Sequence, residues 1–535
     1  MGKSIKIEKI TLLLSFLYIF HVAANIAYLK IDTTSPTWMP ANHTLQAIKM
    51  FNIINSPDMS FKNDLKADIV GCEHICPPLV YLMIYPFFKI FGADTDIAVM
   101  AISIIFYLVL ILSVFKIGEI ISGKRSIGLL SAFLITMYPF VYASSKQFLL
   151  DFPTMTIVAL SVFFLIKTDN FRNQKYSIFF GLILGLGMLI KESYTAFIVG
   201  PFLCTLPKSL RDYRDKRIIA NLILSLIIGA LISSIWYLPN LSDIIDYSKY
   251  FLYIGTPDFL TGSSSFRPEW IFSYIRSLIV NQTSFWFFFI FVISFYLFLK
   301  NKIRNKSIVV AWLFVNMLIF IFLRDKQIRF SMPILPAVAV ISATGIGCIS
   351  KPILRYLLIW ILVLYSLFLF VIHSSGHYLF TQVSSKLLMN RTINEYLKGY
   401  MEYGWVSYPL KDNYNMDEIF DIVLSEMKNK DEFRKIYITI SDPLFNERTL
   451  RYLAIKRGYS NIYFESLLFY ENPIENLKAV NMSIPFYIIH VYPHPGVFHY
   501  KNKLLMQHFL ENNERYHLLL YKDFFGRGIY IYEVY

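Results

Sequence analysis

Apolar residues in this chain gather into runs long enough to cross a lipid bilayer, with short polar stretches between them. A crossing helix needs roughly 20 predominantly apolar residues, with about 17 as a lower limit. The first run is Ile10–Leu29. Further runs lie at Ile97–Phe115, Ile127–Tyr142, Pro153–Ile166, Tyr176–Ile190, Tyr194–Leu206 and Ile218–Leu238. A second block follows at Phe285–Leu299, Ile308–Leu323, Ser331–Ile349 and Tyr356–Ile372. The pattern predicts a polytopic α-helical membrane protein with about 11 transmembrane helices. Pro77–Phe91 is also apolar, but it is short and carries Pro86, so it reads as an amphipathic or re-entrant segment on the outer surface.

After residue 374 the runs stop and shorter periods take over. Met416–Lys430 has helical spacing, with Asn415 at the cap position and Asp417 and Glu418 in the first turn. Lys435–Ser441 and Tyr487–Tyr492 read as buried strands, with a helix near Glu447–Arg457 after the first. Tyr516–Tyr521 and Gly528–Val534 read as a closing strand pair. Two domains follow: a transmembrane domain, 1–374, whose first outer loop covers about 30–96, and a soluble α/β domain, 375–535.

Composition strengthens this picture. Charged residues make up only 16% of the 535, the AVILMFWYC set makes up 56%, and the mean hydropathy is +0.49. Those values exclude a soluble enzyme, a disordered chain and a secreted disulfide scaffold. The net charge of +14 would suggest a nucleic-acid partner in a soluble protein. Here the positive charge is parcelled into loops between apolar runs, which assigns it to the bilayer and leaves no nucleic-acid partner. Four cysteines say little about redox compartment.

Loop charge also orients the chain. Lys3, Lys6 and Lys9 precede the first run and place the N-terminus in the cytoplasm; that run is too long for a cleavable signal. Alternating from there, the cytoplasmic loops are Lys116–Arg125, Lys167–Lys175, Lys208–Arg217, Lys300–Lys306 and Lys351–Arg355. All are rich in Lys or Arg. The C-terminal domain is then extracytoplasmic, on a plasma or inner membrane, or the endoplasmic reticulum in a eukaryote.

Ionisable groups at a membrane edge are costly and therefore mark chemistry. On the outer side, the first cluster is Pro36–His43, followed by Asp58, Asp64, Asp68, Glu73 and His74. The second is Ser144–Pro153, with Lys146 and Asp151. The third is Gly185–Glu192, ending in Lys191 and Glu192, and the fourth is Arg324–Pro333, with Lys326 and Arg329. Carboxylates bind or deprotonate a hydroxyl, and Lys and Arg suit a phosphate leaving group. Together they are the equipment for sugar transfer from a lipid-linked donor. The sequence assigns no cofactor and leaves room for a divalent metal. Cys72-Glu73-His74-Ile75-Cys76 has only half of a metal-site pattern, and no metal ligands are assigned.

These motifs resemble the GT-C glycosyltransferases, in the branch of the protein O-mannosyltransferases and aminoarabinose transferases. The resemblance rests on the acidic first outer loop, Pro77-Pro78-Leu79-Val80-Tyr81, Phe91-Gly92, and the Ser-Lys…Asp stretch ending at Asp151. It also rests on Gly-Leu-x-x-Leu-x-Lys ending at Lys191 and on Arg-Phe-x-x-Pro-x-x-Pro over Arg329–Pro336. It covers roughly residues 31–350. The resemblance implies a polyprenyl- or dolichyl-phosphate sugar donor and an inverting transfer to a hydroxyl acceptor on lipid, glycan or protein, on the extracytoplasmic face. Asp151 would be the second-loop acid, Arg329 an arginine near the lipid phosphate, Lys191 a phosphate or sugar contact, and Lys146 a point charge where an arginine is more usual. Glu192, Arg324 and Lys326 join them as donor phosphate and sugar candidates from their clusters alone.

One departure stands out. Relatives usually read Trp-Asp-x-Ala-x-His at the first loop, whereas this chain reads Trp38-Met39-Pro40-Ala41-Asn42-His43. A thioether takes no proton from a hydroxyl. Either His43, Asp58, Asp64, Asp68 or Glu73 replaces the acid, or the chain is an impaired relative that binds lipid-linked sugar or partners another transferase. Structural alternatives stand beside the catalytic ones. Asp151 suits a helix N-cap, and Lys191 and Glu192 suit a snorkelling pair at the membrane edge. His21 and Asn25 share one face of the first run, where they suit interhelical hydrogen bonds.

Overall fold

The computed structural model describes residues 2–55, 76–211, 215–249, 275–322 and 328–374. In the C-terminal part it describes 420–421, 424–425, 434–439, 446–459, 461–469, 472–479, 486–492, 499–524 and 527–534. Compactness divides the chain into two units: Met1–Lys30 with Lys49–Pro409, and Ile31–Ile48 with Leu410–Tyr535. This division differs from the sequence cut at 374/375 in two respects: the boundary lies at 409/410, and the early segment 31–48 groups with the C-terminal residues.

The first unit is helical. It runs through α1 (Gly2–Ile31), α2 (Trp38–Asn55, shared between the units), α3 (Leu79–Phe91), α4 (Thr95–Ser122), α5 (Arg125–Met137) and α6 (Pro139–Ser144). Next come α7 (Asp151–Lys167), α8 (Gln174–Met188), α9 (Tyr194–Leu203), α10 (Leu206–Arg211), α11 (Lys216–Tyr237) and α12 (Leu241–Lys249). A π-helical turn, Leu278–Thr283, leads into α13 (Phe285–Lys300) and α14 (Lys306–Phe322). A 3₁₀ turn, Ile328–Ile334, then leads into α15 (Leu335–Gly347) and α16 (Pro352–Ser374).

Local chemistry sets the helix ends. The Asp94 carboxylate accepts from the Asp96 amide at the start of α4, and Gly123 ends that helix at φ 70°, where a side chain would be strained. Small residues allow close approach elsewhere. Gly181 and Gly185 on α8 face Ser225 and Gly229 on α11, and a Cβ at Gly181 would lie 2.5 Å from the Ser225 carbonyl.

Among the described residues, Glu8–Ile31, Thr95–Ser122, Lys216–Tyr237, Ile328–Gly347 and Pro352–Ser374 are long and apolar enough to cross a membrane. The pair Ile275–Thr283 and Phe285–Lys300, bent by 120°, adds a sixth if counted as one. The expected number of about 11 spans relies on shorter helices as well. Among these are α5, α9 and α14. α3 stands outside that count: its 13 residues rise about 20 Å, less than the hydrocarbon thickness. The long helices turn apolar side chains outward, Ile353 on α16 being 83% exposed and Leu12 on α1 70%. Such a surface needs lipid around it. The chain is a multi-pass integral membrane protein.

The second unit holds a mixed five-stranded sheet in the order β2-β1-β3-β5-β4. Its strands are β1 (Arg434–Ile438), β2 (Ile462–Ser466), β3 (Phe486–Tyr492), β4 (Tyr516–Phe524) and β5 (Arg527–Val534). β1 pairs in parallel with β2 and β3, while β5 pairs antiparallel with β3 and β4. α17 (Glu447–Lys456), α18 (Pro473–Ala479) and α19 (His499–Glu511) complete its described elements. The expected helix after β1 and the closing strand pair are present; β2 was not foreseen. β1 is shorter than the expected strand, ending at Ile438. The expected helix Met416–Lys430 lies mostly outside the described residues.

Candidate functional site

Asp151 is the first residue of α7, and the cap position belongs to Leu150, which offers no side-chain hydrogen bond. The Asp151 carboxylate instead faces two cations from distant parts of the chain. Lys191 Nζ donates to its Oδ1 at 2.6 Å, and Arg329 Nη1 lies 3.9 Å from its Oδ2. The three side chains are 5%, 18% and 8% exposed. The positive end of the α7 dipole also favours a carboxylate here.

Each cation is delivered by a built turn. α8 ends at Met188, and Gly187 lies so close under Tyr194 that a Cβ would fall 2.3 Å from the ring. The Tyr194 hydroxyl is 2.5 Å from Ser161 Oγ on α7, which fixes the turn carrying Lys191 to the helix carrying Asp151. Arg329 sits in the 3₁₀ turn before α15. Gln282 donates to the Ile328 carbonyl at 2.8 Å and to Ser331 Oγ at 2.7 Å, and Trp312 Nε1 donates to the Pro333 carbonyl at 3.0 Å. Phe330 lies under both cations, 5.2 Å from Lys191 Nζ and 5.5 Å from Arg329 Cζ.

The remaining sequence candidates fall elsewhere. Lys146 is buried, with Nζ 4.8 Å from the Tyr28 ring and 5.8 Å from those of Tyr142 and Phe370. Glu192 is half-buried in the turn after Lys191. His43 is buried on α2, in the part that folds with the C-terminal unit. Within that unit Arg448 Nη1 approaches Met39 Sδ at 3.1 Å, and Thr449 Oγ1 donates to the Pro36 carbonyl at 2.8 Å. Asp64, Asp68, Arg324 and Lys326 lie outside the described residues, as does Cys72. No group of three or more His, Cys, Asp or Glu gathers at metal-binding distance among the described residues, and none is assigned to a metal.

Asn25 makes the interhelical bonds its position predicted, to Ser103 and Ser145. His21 does not. It stacks on Tyr107 at 4.9 Å, and neither ring nitrogen has a hydrogen-bond partner among the described residues. Sequence reasoning missed Arg448, because a basic residue on a soluble helix carries no signal that it faces residue 39. It also missed Tyr107, a tyrosine within an apolar run.

The architecture is that of the GT-C membrane glycosyltransferases, and the chain is similar to the protein mannosyltransferase and aminoarabinose transferase branch of that class. Residues 76–237, from the segment before α3 to the end of α11, match the family described as dolichyl-phosphate-mannose-protein mannosyltransferase. Its structure is similar to that of ArnT from Cupriavidus metallidurans bound to undecaprenyl phosphate, with a TM-score of 0.60, 11% identity, and coverage of 96% of this chain and 97% of that one. The apo state of the same protein gives 0.57 at 11% identity, covering 99% and 98%. The archaeal oligosaccharyltransferase AglB from Archaeoglobus fulgidus, in complex with an inhibitory peptide and a dolichol-phosphate, gives 0.51 at 12% identity, covering 84% of this chain and 64% of that one. No curated protein matches the sequence.

Proposed function

We propose that this chain is a membrane glycosyltransferase that moves a sugar from a polyprenyl- or dolichyl-phosphate donor to a hydroxyl acceptor, with inversion, on the extracytoplasmic face. The observation that carries the reading is the buried Asp151 carboxylate held between Lys191 and Arg329 on a GT-C fold. In the reaction the acceptor oxygen attacks sugar C1 from the face opposite the phosphate. The C1–O bond breaks, and its electron pair stays on the phosphate oxygen. Lys191 and Arg329 offset that developing charge, which desolvation makes more effective than in water. Asp151 keeps the two cations in register and presents an oxygen to the acceptor hydroxyl. The acceptor proton passes to Asp151 or to a first-loop group, for which His43, Asp64 and Asp68 are the candidates. Topology follows the loop charges, with the N-terminus cytoplasmic and the C-terminal unit outside.

A second reading, an impaired relative that binds lipid-linked sugar or assists another transferase, draws on Met39. Its thioether faces the Arg448 guanidinium and offers no base.

The test uses the full chain in lipid vesicles with a panel of polyprenyl-phosphate sugars, a cell-envelope extract as acceptor, and parallel samples with and without a chelator. Release of free polyprenyl phosphate by the unaltered chain, reduced about 100-fold or more in Asp151→Asn, is expected for an electrostatic role of this kind. Release only after Met39→Asp would move the conclusion to the second reading. Equal release by the unaltered chain and Asp151→Asn would remove Asp151 from the mechanism.

A further inference from the structure

We propose that Asn25 and Lys146 are positioning residues, which clamp the turn leading into Asp151 onto α1, α4 and α16. The inference rests on the reading of Asp151, Lys191 and Arg329 as the reaction site, and it gives Lys146 a different part from the phosphate contact that the sequence suggested.

The turn connects the end of α6 at Ser144 to the start of α7 at Asp151. Ser145, Phe148, Leu149 and Leu150 are all 2% exposed or less, so the turn runs through the interior rather than over a surface. Backbone polar groups there must find partners inside the protein. Asn25 on α1 supplies them. Its amide nitrogen lies 2.8 Å from Ser103 Oγ, 3.1 Å from the Ser145 carbonyl and 3.0 Å from Ser145 Oγ, so two N–H donors are shared among three acceptors. From α4, Ser103 Oγ donates to the Ser145 carbonyl at 3.2 Å, and the Tyr107 hydroxyl is 2.8 Å from Ser145 Oγ. Ser145 Oγ in turn donates to the Tyr142 carbonyl at 2.9 Å. One residue of the turn is thus tied to α1, α4 and α6.

The next residue is tied in a second way. Lys146 sends its ammonium among Tyr28 of α1, Tyr142 of α6 and Phe370 of α16, and donates to Ser374 Oγ at 3.3 Å. A desolvated ammonium over several aromatic faces is attracted by the negative face of each ring, which holds the side chain in place. His21 closes the wall between the two anchors, stacked on Tyr107 and edge-on to Phe370 at 5.8 Å. Both anchors therefore act on consecutive residues, five and six positions before Asp151. A misplacement of about 1 Å at the reacting group costs on the order of 100-fold in rate. The clamp acts on turnover through Asp151, and touches neither donor nor acceptor.

The test uses the full chain in lipid nanodiscs with Asn25→Leu, Lys146→Met, Lys146→Arg and Tyr107→Phe. Three quantities are read: hydrogen exchange at residues 145–150, turnover of polyprenyl-phosphate sugar, and the Kd for polyprenyl phosphate. Asn25→Leu and Lys146→Met are expected to raise exchange at 145–150 by about tenfold with α11 unaffected. They should lower kcat by roughly 10- to 100-fold and leave the Kd within about threefold. Lys146→Arg keeps a cation over the aromatic faces and should return all three quantities to near those of the unaltered chain. Tyr107→Phe removes one hydroxyl from the same network and should give a smaller rise in exchange, which serves if Asn25→Leu does not assemble. A tenfold weaker Kd in Lys146→Met would mean that Lys146 holds phosphate directly and would overturn the proposal. So would unchanged exchange at 145–150, an equal rise across the whole bundle, or a Lys146→Arg as poor as Lys146→Met. If the unaltered chain turns over no donor, the transferase reading fails, while the exchange measurements still decide whether the clamp exists.

Discussion

At the scale of single residues, the candidate site depends on charge held where water is scarce. Removing the charge of Asp151 leaves Lys191 and Arg329 facing each other without their carboxylate, and breaking a buried pair in this way costs about 3–5 kcal/mol. Lys191→Met is the less disruptive probe, since Arg329 remains 3.9 Å from the carboxylate. It should lower donor turnover by about 10- to 100-fold while the protein still purifies as a folded species. Turnover above half of the unaltered rate would show that Lys191 does not face the leaving phosphate.

His490 in β3 makes a separate point about titration. Burial pushes its imidazole down to about 3, and its Nδ1 lies 2.6 Å from the Thr439 hydroxyl. Between about 6.5 and 3 the unfolded chain binds a proton there that the folded unit does not, so stability falls as pH falls through that window. The slope from this one residue approaches 1.4 kcal/mol per pH unit. Exchange protection of residues 486–492 should drop more steeply below pH 6.5 in the unaltered chain than in His490→Gln; parallel curves would mean that another group controls it.

Asp151, Lys191 and Arg329 stood out as candidates in the sequence because Asp, Lys and Arg are conspicuous beside apolar runs. Their partnership was not. Asp151 in a first turn reads equally as a cap, and nothing local indicates that it meets residues 191 and 329 instead. Position along one helix face did reveal Asn25, since an amide inside a membrane span must find partners.

At the scale of elements, hydrophobic length located most helices, because a bilayer imposes a minimum run. The boundaries moved where a turn matters more than hydropathy. The run Pro153–Ile166 became a helix beginning at Asp151, and the run from Ser331 became a 3₁₀ turn followed by α15. β2 escaped because its five residues give only a brief alternation of buried and half-buried positions. Packing between elements depends on positions without side chains. A Cβ on Gly345 of α15 would fall 2.1 Å from the Ser294 carbonyl of α13, and backbone cannot move aside as a side chain can. Gly345→Ala should therefore lower the thermal stability of the bundle by about 1–3 kcal/mol. Gly347→Ala is the comparison, because its nearest neighbour is the movable Ile127 side chain at 2.8 Å. Equal melting of both variants in one detergent would refute the close-approach account.

At the scale of the whole molecule, the two units are not two consecutive stretches of chain. Residues 31–48 fold with 410–535, a pairing that neither charge nor hydropathy can reveal, since both are local properties. The bond from Thr449 to the Pro36 carbonyl is one of its fastenings. Thr449→Val should raise hydrogen exchange at residues 36–41 several-fold, and Thr449→Ser should restore protection. Unchanged exchange in Thr449→Val would mean that this bond does not hold the segment.

That discontinuity also sets a timetable for synthesis. The early segment leaves the ribosome about 360 residues before the first residue of its partner stretch. At roughly 5–20 residues per second, it waits on the order of half a minute while the whole helical bundle is made. During that interval the segment 31–48 lacks the stretch with which it folds. The first-loop motif is therefore among the earliest parts of the protein to be made and among the last to reach its final place. Any catalytic competence that depends on it would arrive only after the C-terminal strands have closed.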